Sequence, residues 1–388
     1  MYVKNIGNFV LAALVLRGIW MEVKQIADKE KVESLRKDFE RVKLSSWRRF
    51  CMFSRMHFNR VLQSGFIVLS NPYIWRFVIQ GFIRAVQGKR SLRSLEVAIT
   101  YRCNARCVQC SCRQDFDGEG EKNRKLTVDE FKGAIDQAVA LGAFQFSING
   151  GEPMLEEEVV YELIRYIKKH HKRFVMLCTN GIVLDARKVA ILQQCGLDGI
   201  EMGLDSAFDS KHDANRVKGG YQKIFEVIRL CKQHKIHVSL NTILTNDKLT
   251  DDDLIYTFLL AQKMGCLLQI TPCCLTGAYK NRLDLLLTEE TKLYFFWLLS
   301  QSANNRSDMY SSLTIVKCPA AREKIGLQPY GDVVSCPLIQ IKYGNIRQKS
   351  LADIQTEMLK NPYYHINKMQ GCLPAMSEKF IKEYLIDN

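Results

Sequence analysis

This 388-residue chain has little apolar continuity. Its N-terminal apolar stretch, Phe9 to Leu16, is well short of the roughly 20 residues a membrane-spanning helix needs. Arg17, Gly18, Ile19 and Trp20 follow it where an export signal would have a small-residue cleavage site. The cysteine frameworks of small secreted domains are missing too, because the 14 cysteines are scattered over a chain far too long for such a scaffold. We therefore expect a reducing, cytoplasmic setting with thiols free for metal chemistry. Acidic residues are absent from Lys43 to Arg93. Residues 1–94 hold 18 Lys/Arg against 6 Asp/Glu, nearly all of the net charge of +14. The remainder is close to neutral, which argues against a nucleic-acid groove and assigns the basic character to an N-terminal arm. Hydrophobic residues at 47% and charged residues at 25% describe an ordinary globular chain.

Within the arm, Asn71 and Pro72 signal a helix start. Arg76, Gln80 and Arg84 then form a narrow polar stripe among Ile74, Trp75, Phe77, Val78, Ile79, Phe82 and Ile83. Trp20, Trp47 and Trp75 lie in this arm, and Arg48, Arg49, Arg55 and Arg60 stand close to Phe50, Phe53 and Phe58. Bulky apolar groups mixed with cations suit a helix lying on an anionic membrane surface, peripheral to the inner face of the membrane. A helical collar packed on the main domain has the same pattern. Residues 24–43 read as a solvated helix held by pairs such as Glu33 and Lys37.

From residue 95 to 272, short apolar runs alternate with amphipathic stretches. Expected strands are Leu95 to Thr100, Phe144 to Ile148, Phe174 to Cys178, Gly199 to Leu204, Ile236 to Thr242 and Leu267 to Thr271. Helical stretches fall between them, from Val128, Glu157, Ala186, Tyr221 and Asp252 onward. The order implies parallel βα units, in an open sheet or a partial barrel, with reactive groups at the C-terminal ends of the strands.

The first strand runs into Cys103-Asn104-Ala105-Arg106-Cys107-Val108-Gln109-Cys110. Three thiolates at intervals of four and three can converge on one face of a cubane iron-sulfur cluster and leave its fourth iron open. Zinc is the competing metal, but its structural sites are closed by a fourth ligand at comparable spacing. Cys112 follows Cys110 too closely to point at the same ion. After the second strand comes Asn149-Gly150-Gly151-Glu152-Pro153. Adjacent glycines let backbone approach a ligand, and a carboxylate accepts hydrogen bonds from an ammonium; an ordinary turn before a helix is the alternative.

On these residues the chain resembles the radical S-adenosylmethionine (radical SAM) superfamily, across roughly residues 95–272. The resemblance implies an α/β fold, a partial (β/α)6 barrel flanked by a basic helical arm and a small α+β C-terminal extension. It implies a [4Fe-4S] cluster on Cys103, Cys107 and Cys110, with S-adenosylmethionine at the open iron and Gly150, Gly151, Glu152 and Pro153 at its amino group. Asn180 closes the third strand and Asp205 the fourth. Arg216 is similar to the arginine that pairs with the nucleotide's carboxylate, and Asn241 ends the fifth strand within reach of the ribose. Gln109 stands where an aromatic is common, and Gly203 where many relatives have serine. The implied chemistry is reductive cleavage of S-adenosylmethionine to a 5′-deoxyadenosyl radical that abstracts hydrogen from a substrate, fed by an electron donor such as flavodoxin or ferredoxin. Cys178, Cys195, Cys231 and Cys266 read as small core residues.

In residues 273–388, Cys318-Pro319, a hairpin at Pro329-Tyr330-Gly331-Asp332, Cys336-Pro337 and Cys372 resemble a SPASM or twitch extension. A full SPASM set of close cysteines is lacking, so at most one auxiliary iron-sulfur cluster is expected, on Cys318, Cys336 and Cys372. Its fourth ligand is open among Cys273, Cys274, substrate or nothing; a hairpin that has lost its metal is the alternative. Three functions follow: hydrogen abstraction from a membrane-held lipid or isoprenoid, peptide or protein maturation, or non-catalytic iron-sulfur electron transfer. The nucleotide-site residues argue against the last.

Overall fold

A computed structural model of the chain describes residues 29–70, 83, 92–113, 125–309, 318–365 and 371–386. The helix expected from Asn71 lies, apart from Ile83, outside these residues, as do Trp20 and Trp75.

Among the described residues two long helices precede the sheet, α1 (Lys29–Leu44) and α2 (Ser46–Ser70). The barrel follows as β1 (Ser94–Ala98), α3 (Val128–Ala140), β2 (Gln145–Asn149), α4 (Glu157–Tyr166), β3 (Phe174–Thr179), α5 (Ala186–Cys195) and β4 (Gly199–Gly203). It continues through α6 (Asp209–Asn215), α7 (Gly220–Gln233), β5 (His237–Leu244), α8 (Asp253–Lys263) and β6 (Leu267–Pro272). After α9 (Glu289–Gln301) come β7 (Asn305–Arg306), β8 (Lys324–Leu327), β9 (Asp332–Cys336) and β10 (Ile339–Asn345), then α10 (Leu351–Met358), α11 (Leu373–Met376) and α12 (Glu378–Tyr384). Helix starts carry side-chain caps where the chain turns back onto the sheet: Thr127 and Glu130 form a reciprocal capping box on α3, and Asp185 and Thr288 cap α5 and α9.

All strands belong to one sheet, ordered β10-β9-β8-β1-β2-β3-β4-β5-β6-β7. The run from β8 to β7 is parallel throughout. Only the β8-β9-β10 meander is antiparallel, and its β8-β9 turn is the expected hairpin, with Gly331 at φ +94°. Alternation decides the two faces. Val175, Leu177 and Thr179 of β3 are buried against the helices, whereas Phe174, Met176 and Cys178 face the concave side and are only half-buried. Cys178 therefore lines the lumen, while Cys195, Cys231 and Cys266 are buried as expected. The parallel run curls far enough for its two ends, β8 and β7, to approach each other. Asp308, two residues beyond β7, pairs with Lys324 of β8 at 3.0 Å, and Lys324 reaches Glu96 of β1 at 3.4 Å.

The arm packs as a collar with one face and meets solvent with the other. Val32, Phe39, Val42, Met52 and Met56 are buried. Phe39 lies 4.9 Å from the Tyr294 ring and 5.4 Å from that of Trp297, whose indole N–H donates to Asp38 at 2.9 Å. Arg55 donates to the Ser300 carbonyl at 2.7 Å, and Arg36 pairs with Asp252. Outward, Leu44, Trp47, Phe50 and Phe58 are 87%, 71%, 62% and 62% exposed, beside exposed Arg41, Arg48 and Arg49. No helix among the described residues is long and apolar enough to cross a membrane.

Candidate functional site

The loops at the C-terminal ends of β1 to β4 converge on one mouth of the barrel. The three-cysteine loop is fixed from two sides: Val108 N–H donates to Asn215 O at 3.0 Å, and Ala278 N–H to Cys110 O at 2.9 Å. Cys103, Cys107 and Cys110 lie near enough to disfavour one another's ionisation, but burial is the larger influence on each and pushes the Cys110 thiol up to about 11. Such thiols ionise when a cationic cluster takes them as ligands. Among the described residues no three His, Cys, Asp or Glu side chains are gathered as ligands of a single ion.

The two glycines after β2 are required by contact. Gly150 has φ +141°, and a side chain there would overlap the Thr100 carbonyl; one at Gly151 would overlap the carbonyls of Tyr101 and Arg102. The bare backbone therefore lies directly on the cysteine loop, with Gly151 N–H donating to Thr100 O at 2.7 Å and Glu152 N–H to Arg102 O at 2.8 Å. Glu152 is fully buried and accepts from Met154 N at 3.0 Å, Thr179 Oγ1 at 2.6 Å and Asn180 N at 2.8 Å. Its carboxylate thus ties the β2 and β3 loops together, and the edge left to a ligand is backbone. Pro153 begins the single 3-10 turn that follows. Asn180 joins the same mouth, its Nδ2 donating to Asn104 Oδ1 at 2.7 Å and lying 3.9 Å from Cys103 Sγ.

Asp205 and Arg216 form a bidentate pair at 2.7 and 2.9 Å. Burial opposes both charges, but the pairing prevails, lowering the Asp205 pKa and raising that of Arg216. Gln109 also donates to Asp205, so the position where an aromatic is common serves here as a polar brace. Gly203 has an equally local reason: a side chain there would run into the Arg216 guanidinium. Two further residues complete this network, His212, which the sequence sets beside Arg216, and Lys248, which carries no sequence signal. Buried Lys248 donates to the Asp205 carbonyl and to Thr242 Oγ1, and His212 Nδ1 accepts from Asp205 N–H at 3.2 Å. Asn241 is a correction. β5 runs on to Leu244, so Asn241 lies three residues short of its end; it is in register with Gly203, the last residue of β4, and donates to Glu201 at 3.1 Å.

In the C-terminal part, Cys318, Cys336 and Cys372 are all buried, and the structure adds Cys274 to them. Cys274, whose thiol donates to the Pro272 carbonyl at 3.3 Å, lies near Cys372, Cys318 and Cys336, whereas burial, then the charges of Asp247, Arg282 and Asp284, act on Cys273. The sequence signal for Cys274 is its place just past the end of β6.

The family model for the radical SAM superfamily matches residues 97–261. A GTP 3',8-cyclase of Clostridium perfringens (strain SM101 / Type A) is 28% identical over 159 residues, 41% of this chain and 48% of that protein. A probable GTP 3',8-cyclase of Methanococcus maripaludis is 31% identical over 146 residues, 36% of this chain and 47% of that protein. The chain thus spans about half the length of the curated relatives it matches. In fold it is similar to SuiB of Streptococcus suis bound to precursor peptide SuiA, with TM-score 0.56, 14% identity and coverage of 77% of this chain and 72% of that one. It is also similar to anSMEcpe with bound AdoMet, with TM-score 0.55, 16% identity and coverage of 75% and 95%. The three-cysteine loop, the glycine-rich edge and the barrel strands β2 to β5 thus fall in the span of the chain, residues 97–261, that matches the radical SAM superfamily.

Proposed function

We propose that this protein is a radical SAM enzyme that removes a hydrogen atom from a membrane-held substrate. The observation that carries the first half is the convergence of Cys103, Cys107 and Cys110 with the bare backbone of Gly150 and Gly151 at one mouth of the barrel. The cysteines would hold a [4Fe-4S] cluster, and the glycine edge and Asn180 would orient S-adenosylmethionine beside it, with Asp205 and Arg216 bracing the opposite wall. When bound, the cluster and nucleotide supply the electron and the 5′-deoxyadenosyl radical. A one-electron donor of the flavodoxin or ferredoxin kind must reach the cluster from outside. The polypeptide's own part is to fix the loops: Glu152 clamps β2 to β3, and Arg216 keeps its charge because Asp205 answers it.

The exposed aromatic and basic face of α2 supports a membrane setting, since apolar burial and anionic headgroups would both favour its adsorption. The second reading, peptide or protein maturation, is favoured by the gathering of Cys274, Cys318, Cys336 and Cys372, an arrangement suited to one auxiliary cluster in a SPASM or twitch-like extension. The test of the core reading is anaerobic reconstitution followed by assay of 5′-deoxyadenosine. Replacing Cys103, Cys107 or Cys110 by Ala should abolish the product, and Cys231→Ala should leave it; product formation in the triple variant would refute the assignment.

A further inference from the structure

Below the mouth, the lumen is polar. Glu201 of β4 and Arg306 of β7 both border it: burial, with Asp308 nearby, pushes the Glu201 pKa up and burial draws that of Arg306 down, their mutual attraction offsets this only in part, and no hydrogen bond or ion pair within 4.0 Å joins them among the described residues. The strand alternation puts both on the concave side, since Asn305, the neighbour of Arg306, turns outward and donates to the Leu298 carbonyl at 2.7 Å. Asn241 and Arg306 share one row, in register through Gln269. Between the charges, two oxygen atoms of β5 are buried without a partner, Ser239 Oγ and Asn241 Oδ1. An orphaned buried polar atom costs free energy unless something completes its hydrogen bonding. Asp308, paired with Lys324 at 3.0 Å, leaves 39% of its side chain open.

We propose that this gap receives a dipolar group of the substrate, an oxyanion against Arg306 and an amino or amide N–H against Glu201, with Ser239 and Asn241 beside them. Opposite charges held apart are complementary to a ligand that carries both, and an acyl or prenyl chain placed there would strand the same groups without partners. The inference deepens the reading above and rests on it for one point, that the reactive radical arises at the mouth over this lumen. A polar headgroup, not the chain of a lipid, is then the part that reaches the radical. A phospholipid headgroup and a peptide terminus share this chemistry.

The test uses the full chain, loaded with cluster and S-adenosylmethionine, and three probes: glycerophosphoethanolamine, glycylglycine and hexanol. At least one dipolar probe should raise the melting temperature saturably, and which one does so tells a headgroup from a peptide source. Its apparent affinity should fall at least tenfold in Arg306→Gln and in Glu201→Gln, and less in Arg306→Lys. Should the glutamine variants not fold, Ser239→Val, which fills the gap, is read in their place. No stabilisation by either dipolar probe, an equal response in the variants, or preferential stabilisation by hexanol would overturn the inference. Uncoupled 5′-deoxyadenosine formation by the wild-type protein is measured in parallel. Its absence from the wild-type protein would count against the enzymatic reading, while the binding arms still judge the lumen.

Discussion

At the scale of single residues, the mouth depends on what is small as much as on what is charged. Gly203 leaves room for the guanidinium that Asp205 holds. Gly203→Ser should displace Arg216, lower stability by about 1–3 kcal/mol as overpacked sites do, and weaken S-adenosylmethionine binding; urea denaturation and equilibrium dialysis measure the two effects. His212 gives a pH dependence. Burial, with Arg216 nearby, holds its imidazole down at about 4 against the ordinary 6.5. Between those values the unfolded chain takes up a proton that the native one refuses. The contribution of His212 is therefore full above about pH 6.5 and declines toward pH 4, by about 3 kcal/mol in all. Urea titrations at pH 7 and pH 4.5 should show that loss, and His212→Asn should flatten it; an unchanged slope would place the acid sensitivity elsewhere.

At the scale of elements, the barrel strands and helices were legible because each run carried its own period. All six expected strands formed with both ends within two residues of those expected, β5 running two residues further. Cys103, Cys107, Cys110 and the glycine pair were legible because their spacing is local. The contacts that cross the fold were not. The Lys248 contacts, the shared placement of Glu201 and Arg306 in the lumen, and β7 depend on residues far apart in the chain, and a two-residue strand such as Asn305–Arg306 has no periodicity to show. Cys178 was misjudged because core and lumen faces of a doubly covered strand are both apolar in sequence. The choice of Cys274 over Cys273 likewise needed the fold, since neighbouring residues of an extended segment point to opposite sides. If Cys274 completes an auxiliary site, the Cys103/Cys107/Cys110 triple variant should retain about four irons per chain, as one cubane has. Adding Cys274→Ser should remove that iron and adding Cys273→Ser should not; iron near zero in the triple variant would show the extension to be metal-free.

At the scale of the whole molecule, the arm joins barrel and surroundings, and its two faces can be tested apart. Trp47→Ser, Phe50→Ser and Phe58→Ser together should remove the salt-resistant part of binding to anionic vesicles with the melting temperature nearly unchanged. The basic residues add on the order of 1 kcal/mol each near such a surface, an attraction that salt screens. Phe39→Ala, on the inner face, should instead cost about 3–5 kcal/mol. Co-sedimentation and thermal denaturation separate the two, and an intact chain that ignores anionic vesicles at low salt would end the membrane reading. The meeting of Asp308 with Lys324 also bears on biosynthesis. β1 emerges from the ribosome long before β8, the strand that covers its outer edge. Through that interval the nascent barrel offers a row of unpaired amides and carbonyls to any passing strand. A chain truncated after Met309 keeps every strand from β1 to β7 and the motif loops between them, yet it never outgrows this vulnerable stage. Aggregation, not a smaller working enzyme, is its expected fate.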